Sequence, residues 1–218
     1  MLLCDPPYGV SYVQSKVGIA NLANTKNIAN DDIEDEAGYQ AFSFNWMSAL
    51  KTHLATKNSL YIFNSDKMLI PTVLALKASG GKFTQLLIWA KTQAVIGRMD
   101  YLPQHELIIY GWYGTHTFHK SKDKSVLVYP KPTSSKLHPT MKPVGLLRRL
   151  ILNSSSINDT VFDGFAGSGS TLMACEQTKR RCLAVEIDPD YCQVIVARWE
   201  KLSGQKGKVL NGTEPAAR

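Results

Sequence analysis

An open α/β sheet, mixed but mostly parallel and covered by helices on both faces, is the fold class that this 218-residue chain predicts. Three observations carry it. Short β-branched and aromatic runs alternate with longer helical stretches. Two of those runs end abruptly in rigid or glycine-rich turns, Asp5-Pro6-Pro7-Tyr8 and Asp163-Gly164-Phe165-Ala166-Gly167-Ser168-Gly169-Ser170-Thr171. The chain length suits one domain with a sizeable core, and no apolar run approaches the roughly 18 residues of a membrane helix.

Leu2-Leu3-Cys4 reads as the end of a buried strand, which two successive prolines stop because each lacks an N–H. Residues 13–38 are polar, with Asn21, Asn24, Asn27 and Asn30, and predict a long loop after the tetrad. Residues 39–56 predict an amphipathic helix that packs Phe42, Trp46, Leu50 and Leu54. Leu60-Tyr61-Ile62-Phe63 is a second strand, followed by a helix near 67–79 and the turn Gly80-Gly81. Phe83 to Trp89 and Glu106 to Trp112 predict two strands, antiparallel and at one edge of the sheet. Residues 114–137 carry His116, His119, Lys120, Lys122, Lys124, Lys131 and Lys136 with Phe118 and Tyr129 interleaved, either a solvated basic loop or a small nucleic-acid segment. Thr160-Val161-Phe162 is a further strand behind the turn signal Asn158-Asp159, leading through the glycine-rich turn into a helix over 172–176. Cys182 to Glu186 is another strand, and Asp188-Pro189 opens a helix with Asp188 as N-cap. The stretch from Gly204 to Arg218 is expected to be disordered, with Lys208-Val209-Leu210 a weak candidate for a strand.

The tetrad places a carboxylate, rigid carbonyls and an aromatic ring at the carboxyl edge of the sheet, where ligands of open α/β sheets bind. A carboxylate and a carbonyl accept hydrogen bonds from an amino group, and a ring stacks on a flat heterocycle, so the set suits an exocyclic amine on a nucleobase. By itself such a tetrad is equally a stiff surface turn. The downstream strand, glycine-rich turn and helix form the nucleoside-binding corner of a Rossmann-like sheet, although a tight structural turn also has this composition. Glu186 follows Asp163 at about the ~20-residue separation at which an acid meets ribose hydroxyls.

These elements, in this order and with His138-Pro139-Thr140-Met141-Lys142-Pro143 between them, resemble the DNA amino-methyltransferases that use S-adenosylmethionine. The order, catalytic tetrad first and cofactor loop last, is similar to the circularly permuted β group of that family. Ile88-Trp89-Ala90-Lys91 and His105-Glu106-Leu107 are similar to the strand pair that follows the tetrad there. The resemblance covers most of residues 1–203 and implies a Rossmann-like methyltransferase domain: a catalytic half 1–113, a recognition segment 114–137 and a cofactor half 138–203. It implies catalysis at Asp5, Pro6, Pro7 and Tyr8. Cofactor contacts are implied for Asp5, Asp163, Phe165, Gly167, Ser168, Gly169 and Glu186, with Thr140 and Lys142 near the methionine carboxylate. Lys120, Lys122, Lys124 and Lys131 are the expected DNA contacts, double-stranded DNA is the expected partner, and a homodimer fits the group's habit. Relatives usually carry a further strand and helix ahead of the tetrad, so the chain is expected to be a fragment of a longer protein or to replace that wall with its tail.

The implied reaction moves a methyl group onto adenine N6. Aspartate at the first tetrad position goes with adenine in that family and serine with cytosine N4; cytosine N4 and a catalytically silent DNA-binding fragment, such as a prophage remnant, are the alternatives. Cys4 precedes the prolines, so a Pro-Cys nucleophile for carbon methylation is absent. The net charge of +7 and pI near 9.2 favour a polyanionic partner. Cys4, Cys175, Cys182 and Cys192 form no C-x-x-C pair and are expected to be buried free thiols, consistent with a reducing bacterial or phage-infected cytoplasm. His116 and His119 lack acidic or cysteine partners at ligand spacing, which argues against a metal site.

Overall fold

Leu2–Cys4 forms β1 at the centre of a seven-stranded sheet, pairing in parallel with β2, Leu60–Asn64, on one side and with β6, Thr160–Asp163, on the other. The structure, a computed structural model, describes residues 1–9, 31–33, 35–94, 100–120, 122–132 and 141–210. The remaining strands are β3 (Lys82–Ala90), β4 (His105–Trp112), β5 (Val126–Val128) and β7 (Arg181–Ala184). The helices are α1 (Glu36–Lys51), α2 (Leu69–Ala78), α3 (Val144–Ser154), α4 (Ser170–Thr178) and α5 (Pro189–Ser203). The strand order is β5-β3-β4-β2-β1-β6-β7, and β4 alone runs against the others.

Every residue of β1 and β2 is buried, as expected of parallel strands covered on both faces. Alternation along them sorts the core into two layers. Leu3, Tyr61 and Phe63 face α3 and α4 through Leu146, Leu147, Leu150, Ile151 and Ala174. Leu2, Cys4, Leu60 and Ile62 face α1 and α2 through Met47, Ala75 and Leu76. Burying a side chain such as Leu147 or Ile62 contributes roughly 1.5–3 kcal/mol.

Several expectations shift. The deepest stripe of α1 is Tyr39, Ser43 and Met47, while Phe42 and Trp46 lean toward Phe165 of the glycine-rich turn, with ring centroids 6.3 and 5.6 Å away. The β3–β4 pair is antiparallel as expected but is not the edge, because β5 adds to the outside of β3. Residues 114–132 are therefore not all loop: Leu127 is buried, and Ile88 N donates to Ser125 O at 2.8 Å. β7 ends at Ala184, so Glu186 lies two residues past the strand. Cys4 and Cys175 are buried free thiols, whereas Cys182 and Cys192 are half-buried. Lys208-Val209-Leu210 forms no strand and is exposed. The loop over 13–38 falls largely outside the described residues, as does 211–218 of the tail.

Candidate active site

All strands except β4 deliver their carboxyl ends to one edge, where Asp5, Asn64, Lys91 and Asp163 emerge, and β4 begins there with His105 and Glu106. The tetrad holds its shape through its neighbours. Tyr39 of α1 donates its hydroxyl to the Pro7 carbonyl at 2.7 Å. Gly9 takes a left-handed φ of +60°, and a Cβ there would collide with the Ile33 carbonyl.

Asp5 lies in a buried cluster of charge. Lys142 Nζ donates to Asp5 Oδ2 and sits 3.1 Å from Glu106 Oε2. Lys91 Nζ lies 2.9 Å from Glu106 Oε1, and the Tyr8 hydroxyl donates to Glu106 Oε2 at 3.0 Å. The Lys142 ammonium also stands 5.2 Å from the Tyr8 and Phe63 ring centroids. Burial pushes the Asp5 carboxyl up, with Lys142 opposing and Glu106 reinforcing the shift. For Glu106 burial also acts upward, but Lys142 and Lys91 together outweigh it and hold the carboxyl down at about 2. Among the described residues Asp5 Oδ1 is buried and has no hydrogen-bond partner, so this carboxylate keeps one unpaired acceptor.

The glycine-rich turn stands beside it. Gly169 caps α4 with φ +79°, and a Cβ there would press on Ile195 of α5 at 3.0 Å. Glu186 accepts from Gly167 N at 2.6 Å through Oε2 and from Asp188 N at 2.9 Å through Oε1. Each oxygen keeps a second lone pair, which suits the two hydroxyls of a ribose. Burial raises Asp163 to about 6 against hydrogen bonds from Thr171 and from Phe165 N, the latter 3.0 Å long. Ser168 is buried, and its carbonyl accepts from Arg198 of α5. A half-buried turn with Asp163 at its start and Glu186 fixed on Gly167 fits a cationic, ribose-bearing cofactor.

The sequence-expected residues divide into two sets. Asp5, Pro6, Pro7, Tyr8, Lys142, Asp163, Phe165, Gly167, Ser168, Gly169 and Glu186 share the carboxyl edge. Lys142 is there held by Asp5 and Glu106. Thr140 lies outside the described residues. The four lysines separate, because β5 runs parallel to β3. Lys131, which follows β5, belongs to the catalytic edge. Lys120, Lys122 and Lys124, which precede it, are exposed toward the opposite edge, so three of the expected DNA contacts do not adjoin Asp5. Asp123 pins that end: Arg149 donates to it through Nε and Nη2, and Asn153 donates at 2.7 Å. Glu106, Lys91, Tyr39 and Arg198 carry the site without having been assigned a role from sequence. The signal available was a charged residue at each inner end of the β3–β4 pair.

A carboxylate-bearing sheet edge beside a glycine-rich strand–turn–helix corner is the arrangement in which open α/β sheets bind nucleotide-like ligands. Comparison with known proteins makes the class specific: the family model described as DNA methylase matches residues 1–197. The chain belongs to this family, the DNA methyltransferases of N6-adenine/N4-cytosine type. Among curated relatives it is similar to the type II methyltransferase M.HpaI of Haemophilus parainfluenzae, 24% identical over 91% of this chain and 67% of that one. M2.MboI of Moraxella bovis is 23% identical over 93% of this chain and 81% of that one. Among solved structures, the M1.HpyAVI–SAM complex aligns with a TM-score of 0.67 at 20% identity, covering 90% of this chain and 87% of that one. The cytosine-N4-specific PvuII DNA methyltransferase aligns with a TM-score of 0.71 at 13% identity, covering 93% and 82%. At those identities the likeness shows the fold.

Proposed function

We propose that this chain transfers a methyl group from S-adenosylmethionine to the exocyclic N6 of adenine in double-stranded DNA. The observation that supports the reading is Asp5, a half-buried carboxylate at the sheet edge beside Tyr8, with Oδ2 held by Lys142 and Oδ1 without a hydrogen-bond partner among the described residues. The cofactor supplies an electrophilic methyl on a sulfonium. The chain's residues do the rest by orientation and electrostatics, with no covalent enzyme intermediate. Glu186 receives the ribose hydroxyls, and the Asp163–Gly169 backbone lines the methionine portion. The target base leaves the duplex stack, because a paired amine is inaccessible to in-line attack. Tyr8 stacks on it, and Asp5 Oδ1 and the Pro6 carbonyl accept from its two N–H groups. That pins the nitrogen lone pair toward the methyl. As the amine nitrogen takes the methyl and the S–C electron pair stays with the cofactor sulfur, Asp5 would stabilise the positive nitrogen and accept the proton it sheds, which then passes to water.

Adenine rather than cytosine is inferred from aspartate at the first tetrad position. The same reading places the DNA across the carboxyl edge, where Lys131 lies, in a bacterial or phage-encoded cytoplasmic enzyme. Incubation with methyl-labelled cofactor and mixed-sequence duplex, followed by digestion and nucleoside chromatography, tests it. Label in N6-methyldeoxyadenosine is the expected result; label in N4-methyldeoxycytidine overturns the base assignment, and unlabelled DNA overturns the activity.

A further inference from the structure

Glu106 belongs to neither the tetrad nor the cofactor turn, yet it is the hub of the buried charge. Its carboxylate takes Lys91 on Oε1 and both Lys142 and the Tyr8 hydroxyl on Oε2. Lys142 in turn grips Asp5 Oδ2, leaving Oδ1 as the acceptor without a partner among the described residues. The elements converge from distant parts of the chain: Asp5 behind β1, Lys91 behind β3, Glu106 at the start of β4, and Lys142 just ahead of α3. Two carboxylates and two ammoniums make a cluster of zero formal charge. Lysine is a point charge on a flexible stem and is held in place by its anions. With Asp5 as sole anion, the Lys142 ammonium would be free to swing across both oxygens and cover the one the substrate needs.

We propose that Glu106 is a positioning residue for the reaction at Asp5: it fixes Lys142 on one oxygen of Asp5 and fixes the Tyr8 ring, so that the other oxygen and the stacking face stay set for the incoming amine. The inference rests on the methyl-transfer reading of the site and deepens it. It gives the β3–β4 pair a task that neither strand's own sequence displays, since Lys91 reaches the reaction only through Glu106. Other groups near Asp5 are Cys4 on β1, Tyr39 on α1 and Asp163 on β6. Among the described residues no hydrogen bond or ion pair joins these three to Glu106, whereas Tyr8 faces both Asp5 and Glu106, so substitutions at Glu106 and Lys142 act on Asp5 through the cluster of Lys142, Glu106 and Tyr8.

Two isosteric changes separate coupling from simple structural support. Glu106→Gln keeps the shape but removes the neighbouring carboxylate and leaves the Lys142 ammonium to Asp5 alone, which favours the ionised form of Asp5. Lys142→Met keeps the length but strips Asp5 of its cation, which favours the protonated form. The side-chain carboxyl carbon of Asp5 is followed by carbon-13 NMR through a pH titration of the full chain without ligand, its resonance identified by its loss in Asp5→Asn. The midpoint is expected to fall in Glu106→Gln and to rise in Lys142→Met; a midpoint unmoved in whichever variants fold overturns the coupling. In parallel, kcat for labelled methyl transfer is expected to fall about ten- to a hundredfold in Glu106→Gln, the cost of a misplaced reacting group. The dissociation constant for S-adenosylmethionine should stay within about twofold of the parent, because no substrate or cofactor contact has been removed. Parent-like kcat overturns the positioning role. A parent chain that methylates no DNA would instead count against the methylase reading, while the titration still decides whether Glu106 governs Asp5.

Discussion

Replacing Glu186 by Ala removes the acceptor at the ribose end of the cofactor corner. The carboxylate is held by Gly167 N at 2.6 Å and Asp188 N at 2.9 Å, so its free lone pairs point in a fixed direction. Each hydroxyl bond to a charged acceptor contributes roughly 1.5–3 kcal/mol, and water entering the vacated space returns part of that. A net loss of about 1.5–3 kcal/mol corresponds to roughly ten- to a hundredfold weaker cofactor binding. Glu186→Gln sharpens the test: the amide has one acceptor for two backbone donors, so its NH2 must face Gly167 N–H or Asp188 N–H. Gln should therefore weaken binding nearly as much as Ala does. Calorimetric titration with S-adenosylmethionine measures both, and circular dichroism confirms the fold. An unchanged dissociation constant in Glu186→Ala would refute the placement of the ribose.

Gly9→Ala forces a side chain into a left-handed turn against the Ile33 carbonyl, and a loss of about 1–3 kcal/mol is expected in urea denaturation, with a parent-like midpoint contradicting the turn geometry. Asp163 is raised from 3.8 to about 6, so its ionisation destabilises the folded chain as pH climbs through that window, by about 3 kcal/mol at most. Glu106, lowered from 4.5 to about 2, has its stabilisation fully present above pH 4.5 and loses it as pH falls toward 2, so it overlaps that window only below pH 4.5. Thermal melts of Asp163→Asn should therefore show a smaller fall between pH 4 and 6 than the parent; identical slopes would contradict the shift. Duplex binding should weaken steeply and alike for all sequences as salt rises. The paired change Lys122→Ala and Lys124→Ala should leave that slope unaltered, and a slope shallower by about two would put DNA on the far edge of the sheet.

Much of the fold was legible because its signals are local. Proline breaks ended β1, Asp188-Pro189 opened α5 with the Asp188 side chain accepting from Asp190 N, and β-branched runs marked β2 and β6. β5 was hidden because three residues, only one of them buried, carry little periodicity inside a lysine-rich stretch. Trp46, Leu50 and Leu54 pack against the core as expected, but Tyr39, Ser43 and Met47 lie deeper because Phe42 and Trp46 also answer to Phe165, a residue more than a hundred positions away. The site was legible where a motif is contiguous, at the tetrad and at the Asp163–Glu186 corner. It was not legible at Glu106 and Lys91, since a single charge at a strand end looks like a solvated terminus. Only the antiparallel pairing of Ala90 with His105 brings them together under Tyr8.

The most direct test of the account compares single-turnover methyl transfer to duplex DNA by the parent chain and by Asp5→Ala, with cofactor binding measured on both. The parent should transfer label. The variant should lose at least about a hundredfold in rate, the usual loss for removing a group aimed at transition-state charge. Its affinity for S-adenosylmethionine should change by no more than about threefold, because Glu186 and the glycine-rich turn are untouched. Near-parental transfer by Asp5→Ala would contradict the central claim that the unpaired oxygen of this carboxylate receives the amine.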